Sequence, residues 1–216
     1  MKIAIIADWL TDFGGAERVI LRLHKLFPNA PIYTSIFNPK TMGEFKDAEI
    51  KTSFIQKLPK AIKKHQFYIS LMPYAFENFD LSEFDIVVSS AHSCAKGIIT
   101  KPETMHICYC HSPMRYVWDN CHEYIKSYNI PWILKKLAQK PLHNLRLWDK
   151  MAADRVDFFI ANSKNTKQRI KKYYRRDSEV IYPMVDTDRF KISKNKGNNF
   201  KAIGRMIPYK KLEITL

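Results

Sequence analysis

KIAIIADWL (residues 2–10), then Gly14-Gly15, then AERVILRLHKLF (16–27) is the stretch that decides the fold. The first piece is a short apolar run that ends on an acidic residue and its neighbours. In the last piece Val19, Leu23, Leu26 and Phe27 recur at helical spacing, and Pro28-Asn29 ends the pattern. The order is strand, glycine loop, helix. PIYTSI (31–36) reads as a second buried strand, and similar runs return as DIVVSS (85–90), MHICYC (105–110), VDFFIANS (156–163) and SEVIYP (178–183). Helical patterns lie between them, over Trp132 to Arg155 with a break expected at Pro141, and over Asn165 to Tyr174. Apolar strands that alternate with helices point to an open α/β fold, a mostly parallel, Rossmann-like sheet with helices on both faces.

The 216 residues are 46% hydrophobic and 26% charged, which excludes a disordered tail, a fibre and a multi-span membrane protein. Lys and Arg number 36 against 21 Asp and Glu, leaving +15. An imbalance of that size selects partners: phosphate-bearing substrates, nucleic acid or an anionic membrane surface. Asp8 stops the first apolar run well short of a signal-peptide core, and no stretch approaches the roughly eighteen apolar residues of a spanning helix. Cys94, Cys108, Cys110 and Cys121 do not form a disulfide framework, and reduced thiols fit a cytoplasmic chain.

Residues 1–192 read as one domain. SKNKGNN (193–199) is polar, contains glycine and lacks apolar residues, so it is the expected linker. FKAIGR (200–205) and KKLEITL (210–216) then open a second domain with a strand and part of a helix, which cannot bury a core alone. Residue 216 is therefore not expected to be a natural end.

Four features could carry chemistry. Gly14 and Gly15 sit between strand and helix, where a backbone free of side chains lets a ligand approach the helix amino terminus and its unpaired N–H groups; a tight strand-to-helix turn with no ligand is the equal alternative. His111 closes the strand MHICYC, ahead of Ser112-Pro113, and could donate to a sugar hydroxyl or phosphate or move a proton; a bond to a nearby backbone carbonyl is the plainer alternative. Arg205 after a strand and Lys210 at a helix start suit a diphosphate. In KLPKAIKKHQFYISLMPYAF (57–76), Lys57, Lys60, Lys63 and Lys64 precede Phe67, Tyr68, Leu71, Tyr74 and Phe76, the make-up of a helix lying on an anionic membrane; the plainer alternative is an ordinary helix whose aromatics enter the core and whose lysines are solvated. No metal site is expected. His92, Cys94, His106, Cys108, Cys110, His111, Cys121 and His122 crowd into a short stretch, but Cys108 and Cys110 lack the zinc-turn spacing. Lys164 to Arg176 reads as a solvated helix face capped by Ser163.

Together GGAE (14–17), YCHSPMRYVWD (109–119), FFIANSKNTKQRI (158–170), VIYPMVDTDRF (180–190) and IGRMIPYKKLE (203–213) resemble the retaining glycosyltransferases of family 4. That resemblance implies the two-domain GT-B architecture, with this chain as its amino-terminal, acceptor-side domain. MRYVWD and PYKK are most similar to the mannosyltransferase-type subgroup that builds bacterial surface polysaccharides. Carried over residue by residue, Gly14 and Gly15 would lie against the donor diphosphate or the acceptor, and His111 near the transferred sugar. Arg205 and Lys210 would neutralise the departing nucleotide diphosphate. The resemblance further implies a nucleotide-sugar donor, a lipid-linked or polysaccharide acceptor at the cytoplasmic membrane face, and no cofactor. It also has the leaving phosphate take the acceptor's proton. The family's E-x7-E donor segment is absent, so little transferase activity is expected from these residues alone. The rival reading is a non-catalytic basic module for nucleic acid or membrane. No helix-turn-helix or aromatic RNP motif supports binding to nucleic acid.

Overall fold

The structure is a computed structural model in which residues 1–119, 121, 137 and 139–189 are described. The chain divides into a unit Met1–Pro183 and a unit Met184–Leu216. Of the second, the described residues contain one turn of 3-10 helix, Thr187–Arg189. The boundary at residue 192, the linker 193–199 and the segment 200–216 lie outside the described residues.

In chain order the first unit holds β1 (Ile3–Ala7), α1 (Gly15–Leu26), β2 (Ile32–Thr34), β3 (Ile50–Thr52), α2 (Ala61–Lys64), α3 (Met72–Glu77), β4 (Ile86–Ala91) and β5 (Met105–Cys110). It continues with α4 (Gln139–Asp154), β6 (Phe158–Ala161), α5 (Lys164–Tyr174) and β7 (Glu179–Val180). The strands form one sheet in the order β3-β2-β1-β4-β5-β6-β7, and each pairing is parallel. The fold is an open, Rossmann-like α/β sheet.

Local sequence explains the elements. β1 is the apolar run itself, with Ala4 to Ala7 fully buried. α1 begins where the Glu17 carboxylate accepts the Gly14 N–H at 2.9 Å, a capping interaction that satisfies one orphan donor of the first turn. Packing then places the helices on both faces. On one face Ile20 of α1 meets Ile5, Ala7, Ile32, Met42 and Phe45. On the other, Met72 and Phe76 of α3, Leu145 and Ala153 of α4, and Ile170 and Tyr174 of α5 cover Ile6, Val87, Cys108, Cys110 and Phe159.

Two sequence expectations need correction. α4 runs through Pro141 without a break. The stretch 57–76 is not one surface helix. Lys60 takes a left-handed φ of 57° after Pro59, and Pro73 starts a fresh turn, so the chain breaks into α2, a 3-10 turn His65–Tyr68 and α3. Phe76 is fully buried there, a side-chain burial that contributes about 1.5–3 kcal/mol. Phe67, Leu71 and Tyr74 remain exposed.

Candidate functional site

From β1 the chain winds through β2 to β3 on one side, then crosses to place β4 on the other side of β1. Strand order thus reverses between β1 and β4, and the crevice at the carboxyl ends of strands at such a switch point is where open α/β sheets bind ligands. Three chemically active side chains stand at strand ends there. Asp8 follows β1, His92 follows β4 and His111 follows β5.

Asp8 is buried, yet its carboxylate is well supplied with donors. It accepts the backbone N–H groups of His92 at 2.6 Å, Ser93 at 2.8 Å and Ala95 at 2.7 Å. His92 Nδ1 lies 3.0 Å from the same carboxylate. Burial pushes the Asp8 pKa up, but the His92 charge and these N–H groups outweigh it, and the carboxyl is held below its ordinary value. The His92 side chain keeps 30% of its surface exposed.

His111 is placed differently. Its Nε2 and Ser90 Oγ are 2.8 Å apart, its N–H reaches the Ala91 carbonyl at 2.8 Å, and its carbonyl accepts the Thr166 hydroxyl at 3.1 Å. Burial, and then His92, push its pKa down to about 4, so the ring is neutral at neutral pH. His65 enters from the turn before α3, with its ring centroid 4.7 Å from that of Trp9. Trp9 in turn meets the His92 ring edge-on at 4.6 Å. Burial lowers the His65 pKa as well.

Beneath the crevice, a buried polar network fixes the loops. Lys96, in the loop after β4, pairs with Asp149 of α4, and both are almost completely enclosed. Burial works against the Lys96 charge, but Asp149 offsets it and the Lys96 pKa is raised. Lys96 Nζ also donates to the Ser93 carbonyl at 3.1 Å. Asp149 further accepts Trp118 Nε1–H at 2.7 Å and the Tyr174 hydroxyl at 2.8 Å. One carboxylate thus ties the loop after β4, the loop after β5 and α5 together.

Of the residues singled out from sequence, Gly14, Gly15 and His111 lie at this end of the sheet. Gly14 has φ −134° and precedes α1, so its backbone does not demand glycine. A Cβ on Gly15 would meet nothing within 4 Å. Arg205 and Lys210 lie outside the described residues. Among the described residues, no three His, Cys, Asp or Glu side chains gather as metal ligands, and Cys108 and Cys110 are both buried on the same sheet face. Sequence reasoning missed Asp8 and the partner role of His92. An acidic residue closing an apolar parallel strand was the available signal.

Residues 13–189 match the family model described as Glycosyltransferase Family 4. The chain belongs to glycosyltransferase family 4. No curated protein sequence matches it. Among solved structures it is similar to HepE of Anabaena, crystallised in complex with UDP, at 15% identity and a TM-score of 0.52, over 90% of this chain and 47% of HepE. It also aligns with the wall teichoic acid polymerase TagF at 13% identity and a TM-score of 0.35, over 81% of this chain and 36% of TagF. The family 4 chain thus spans about half of HepE, the likeness to which is one of fold. Among the described residues no helix is long and apolar enough to cross a membrane.

Proposed function

We propose that this chain is the acceptor-side part of a retaining glycosyltransferase of the GT-B type. It transfers a hexose, mannose in the narrowest form of this reading, from a nucleotide sugar to a lipid-linked or polysaccharide acceptor. The observation that carries the reading is the Asp8, His92 and His111 cluster at the switch point between β1 and β4, in a chain of family 4. Gly14 and Gly15 open the amino terminus of α1 to the donor diphosphate or the acceptor. His111 stands near the transferred sugar, and Arg205 and Lys210 meet the leaving diphosphate, where charge develops in the transition state. UDP in HepE supports a nucleotide-sugar donor.

Membrane association belongs to the same reading. Exposed Phe67, Leu71 and Tyr74 lie in the segment that also exposes Lys57, Lys60, Lys63 and Lys64. An apolar tip within a cationic surround suits anionic lipid headgroups. The alternative, a non-catalytic basic module, rests on the +15 charge alone.

The test is donor turnover by the full-length protein. UDP-glucose and GDP-mannose are offered with a lipid extract from the native source, and release of nucleoside diphosphate is followed with analysis of the anomeric product. Turnover with retention is expected; a panel of nucleotide sugars that all stay intact overturns the reading. Calorimetry on residues 1–216 alone is expected to detect no micromolar donor binding. Vesicles containing phosphatidylserine should carry the protein upward in flotation, and a single-stranded oligonucleotide at physiological salt should not bind.

A further inference from the structure

Along α5 the sequence KNTKQRIKKYY sets Lys164, Lys167 and Lys171 at i, i+3 and i+7, which puts all three on one face of the helix. The other faces are taken. Ile170 and Tyr174 enter the core, and Arg169 turns to Ser112 and Asp119. Beyond the helix, Ser178 and Val180 flank Glu179, and strand alternation brings the first two to the α5 side of the edge strand β7 while Glu179 goes to the other. A groove of about 550 Å³ results, lined by the three lysines, Gln168, Ser178 and Val180, with Arg176 and Asp177 where helix gives way to strand.

Its charge is one-sided. Asp177 is the single acidic residue of the lining, and Lys171 already holds it at 2.7 Å. Arg176 is engaged by the carbonyls of Ala153 and Val156, at and just past the end of α4. Lys164 and Lys167 are exposed and form no salt bridge among the described residues. On the floor, Ser178 keeps 8% of its surface, and its hydroxyl is enclosed with no hydrogen-bond partner among the described residues. Leaving a buried hydroxyl unpaired is costly, and a ligand oxygen on the floor would supply the missing partner.

The groove also has a direction. Thr166, between Lys164 and Lys167, donates its hydroxyl to the His111 carbonyl at 3.1 Å, so the first turn of α5 stands at the same end of the sheet as the candidate site. From there the lysines step away, about 4.5 Å and then about 6 Å apart along the axis at roughly 1.5 Å per residue. A linear chain of sugar rings repeats on much the same scale.

We propose that this groove holds an acidic sugar chain, the carboxylate-bearing stem of an acceptor, with its carboxylates over Lys164 and Lys167. That the chain is an acceptor rests on the glycosyltransferase reading; that it binds rests on the groove alone. The lining favours sugar over other anions. It holds no aromatic ring, so a nucleic acid strand would find nothing on which to stack its bases. Its apolar surface is Val180 and the aliphatic lysine stems, whereas a bilayer asks for a projecting apolar tip such as Phe67 and Leu71. Gln168 and Ser178 offer neutral hydrogen bonds that suit sugar hydroxyls, and lysine stems pack against ring carbons.

Calorimetry on the full-length protein at physiological salt tests this. An oligogalacturonate, with one carboxylate on each ring, is the acidic probe, and a dextran oligosaccharide of equal length is the neutral one. The oligogalacturonate should bind and the dextran should not. Lys164→Gln with Lys167→Gln should weaken binding by about tenfold, the size expected for two exposed charge contacts. Lys25→Gln with Lys46→Gln removes the same charge from exposed positions elsewhere and should stay within about twofold of wild type. Ser178→Ala gives up no hydrogen bond of the fold, so a weaker complex at an unchanged urea midpoint is expected. Equal losses in the two double variants would mean that total charge, and not the groove, takes the probe, and would overturn the proposal. So would a wild type that leaves the oligogalacturonate unbound, or that binds dextran as tightly. Tighter binding of inorganic phosphate or of a single-stranded oligonucleotide, with the same dependence on Lys164 and Lys167, overturns the choice of a sugar chain. None of these readouts needs turnover, so failure of the donor assay counts against the glycosyltransferase reading and leaves the binding result to judge the groove.

Discussion

Two acid–base pairs use the same loop and do opposite things. His92 and Lys96 both belong to the segment after β4, one paired with Asp8 and the other with Asp149. Lys96 and Asp149 are enclosed, and the carboxylate is fully occupied by Lys96, Trp118 and Tyr174. Asp8 is equally buried, but its partner His92 is left partly in the open. A pair completed by protein on all sides fixes geometry. A pair with one member partly exposed keeps that member in touch with solvent. The first holds the loop from which the second reaches Asp8.

The largest expected effect breaks the inner pair. Asp149→Ala leaves the Lys96 charge without its carboxylate, and Trp118 Nε1–H and the Tyr174 hydroxyl without their acceptor, in the interior, and should cost about 3–5 kcal/mol in urea unfolding. Lys96→Met combined with Asp149→Leu should recover most of that loss. If the double variant is no better than the single one, the pair is more than a filler of buried space.

Acid should weaken the fold through other histidines. His106, within hydrogen-bond reach of Ser89 Oγ at 2.8 Å, and His111 are both pushed down to about 4, first of all by burial. The unfolded chain titrates near 6.5, so between these values it binds protons that the folded chain refuses. Stability is whole above about pH 6.5 and is lost as pH falls toward 4, by on the order of 3 kcal/mol for each histidine. Urea midpoints at pH 7 and pH 4.5 measure the slope, and His106→Gln with His111→Gln should flatten it.

A smaller test strains the Lys96 loop without touching its charge. A Cβ on Gly97 would lie 2.2 Å from the Trp148 indole, so Gly97→Ala should cost about 1–3 kcal/mol by overpacking. Trp148→Leu should suppress part of that cost. Smallest of the four is the cap of α5, where the Ser163 hydroxyl accepts the Thr166 N–H at 3.2 Å. Ser163→Ala should lower stability by about 1 kcal/mol and leave the crevice titrations unchanged.

The sheet was legible because its strands are buried on both sides of the central turns. IAIIA, IVVSSA and MHICYC read as apolar runs for that reason. Gly14, Gly15 and His111 were legible because they stand beside strand and helix boundaries that the pattern itself marks. Asp8 was not, since a carboxylate at a strand end looks solvated until the loop after β4 folds over it with three N–H groups. Lys96 and Asp149 are separated by over fifty residues, and nothing in local patterning couples them. The stretch 57–76 misled because its aromatic and basic residues suit one long helix, whereas Pro59, Lys60 and Pro73 divide it.

The thiols of this chain carry a practical consequence. Cys94, Cys108 and Cys110 are sealed in the core, and burial pushes the Cys108 thiol up to about 12 and the other two upward as well. They should be silent towards maleimides and air. Cys121 is partly exposed, with its sulfur 3.5 Å from Arg146 Nη2 and only a few residues past Trp118. A single fluorophore placed there in the unaltered protein would sit close to the loop that carries His111, ready to report when a substrate settles into the crevice.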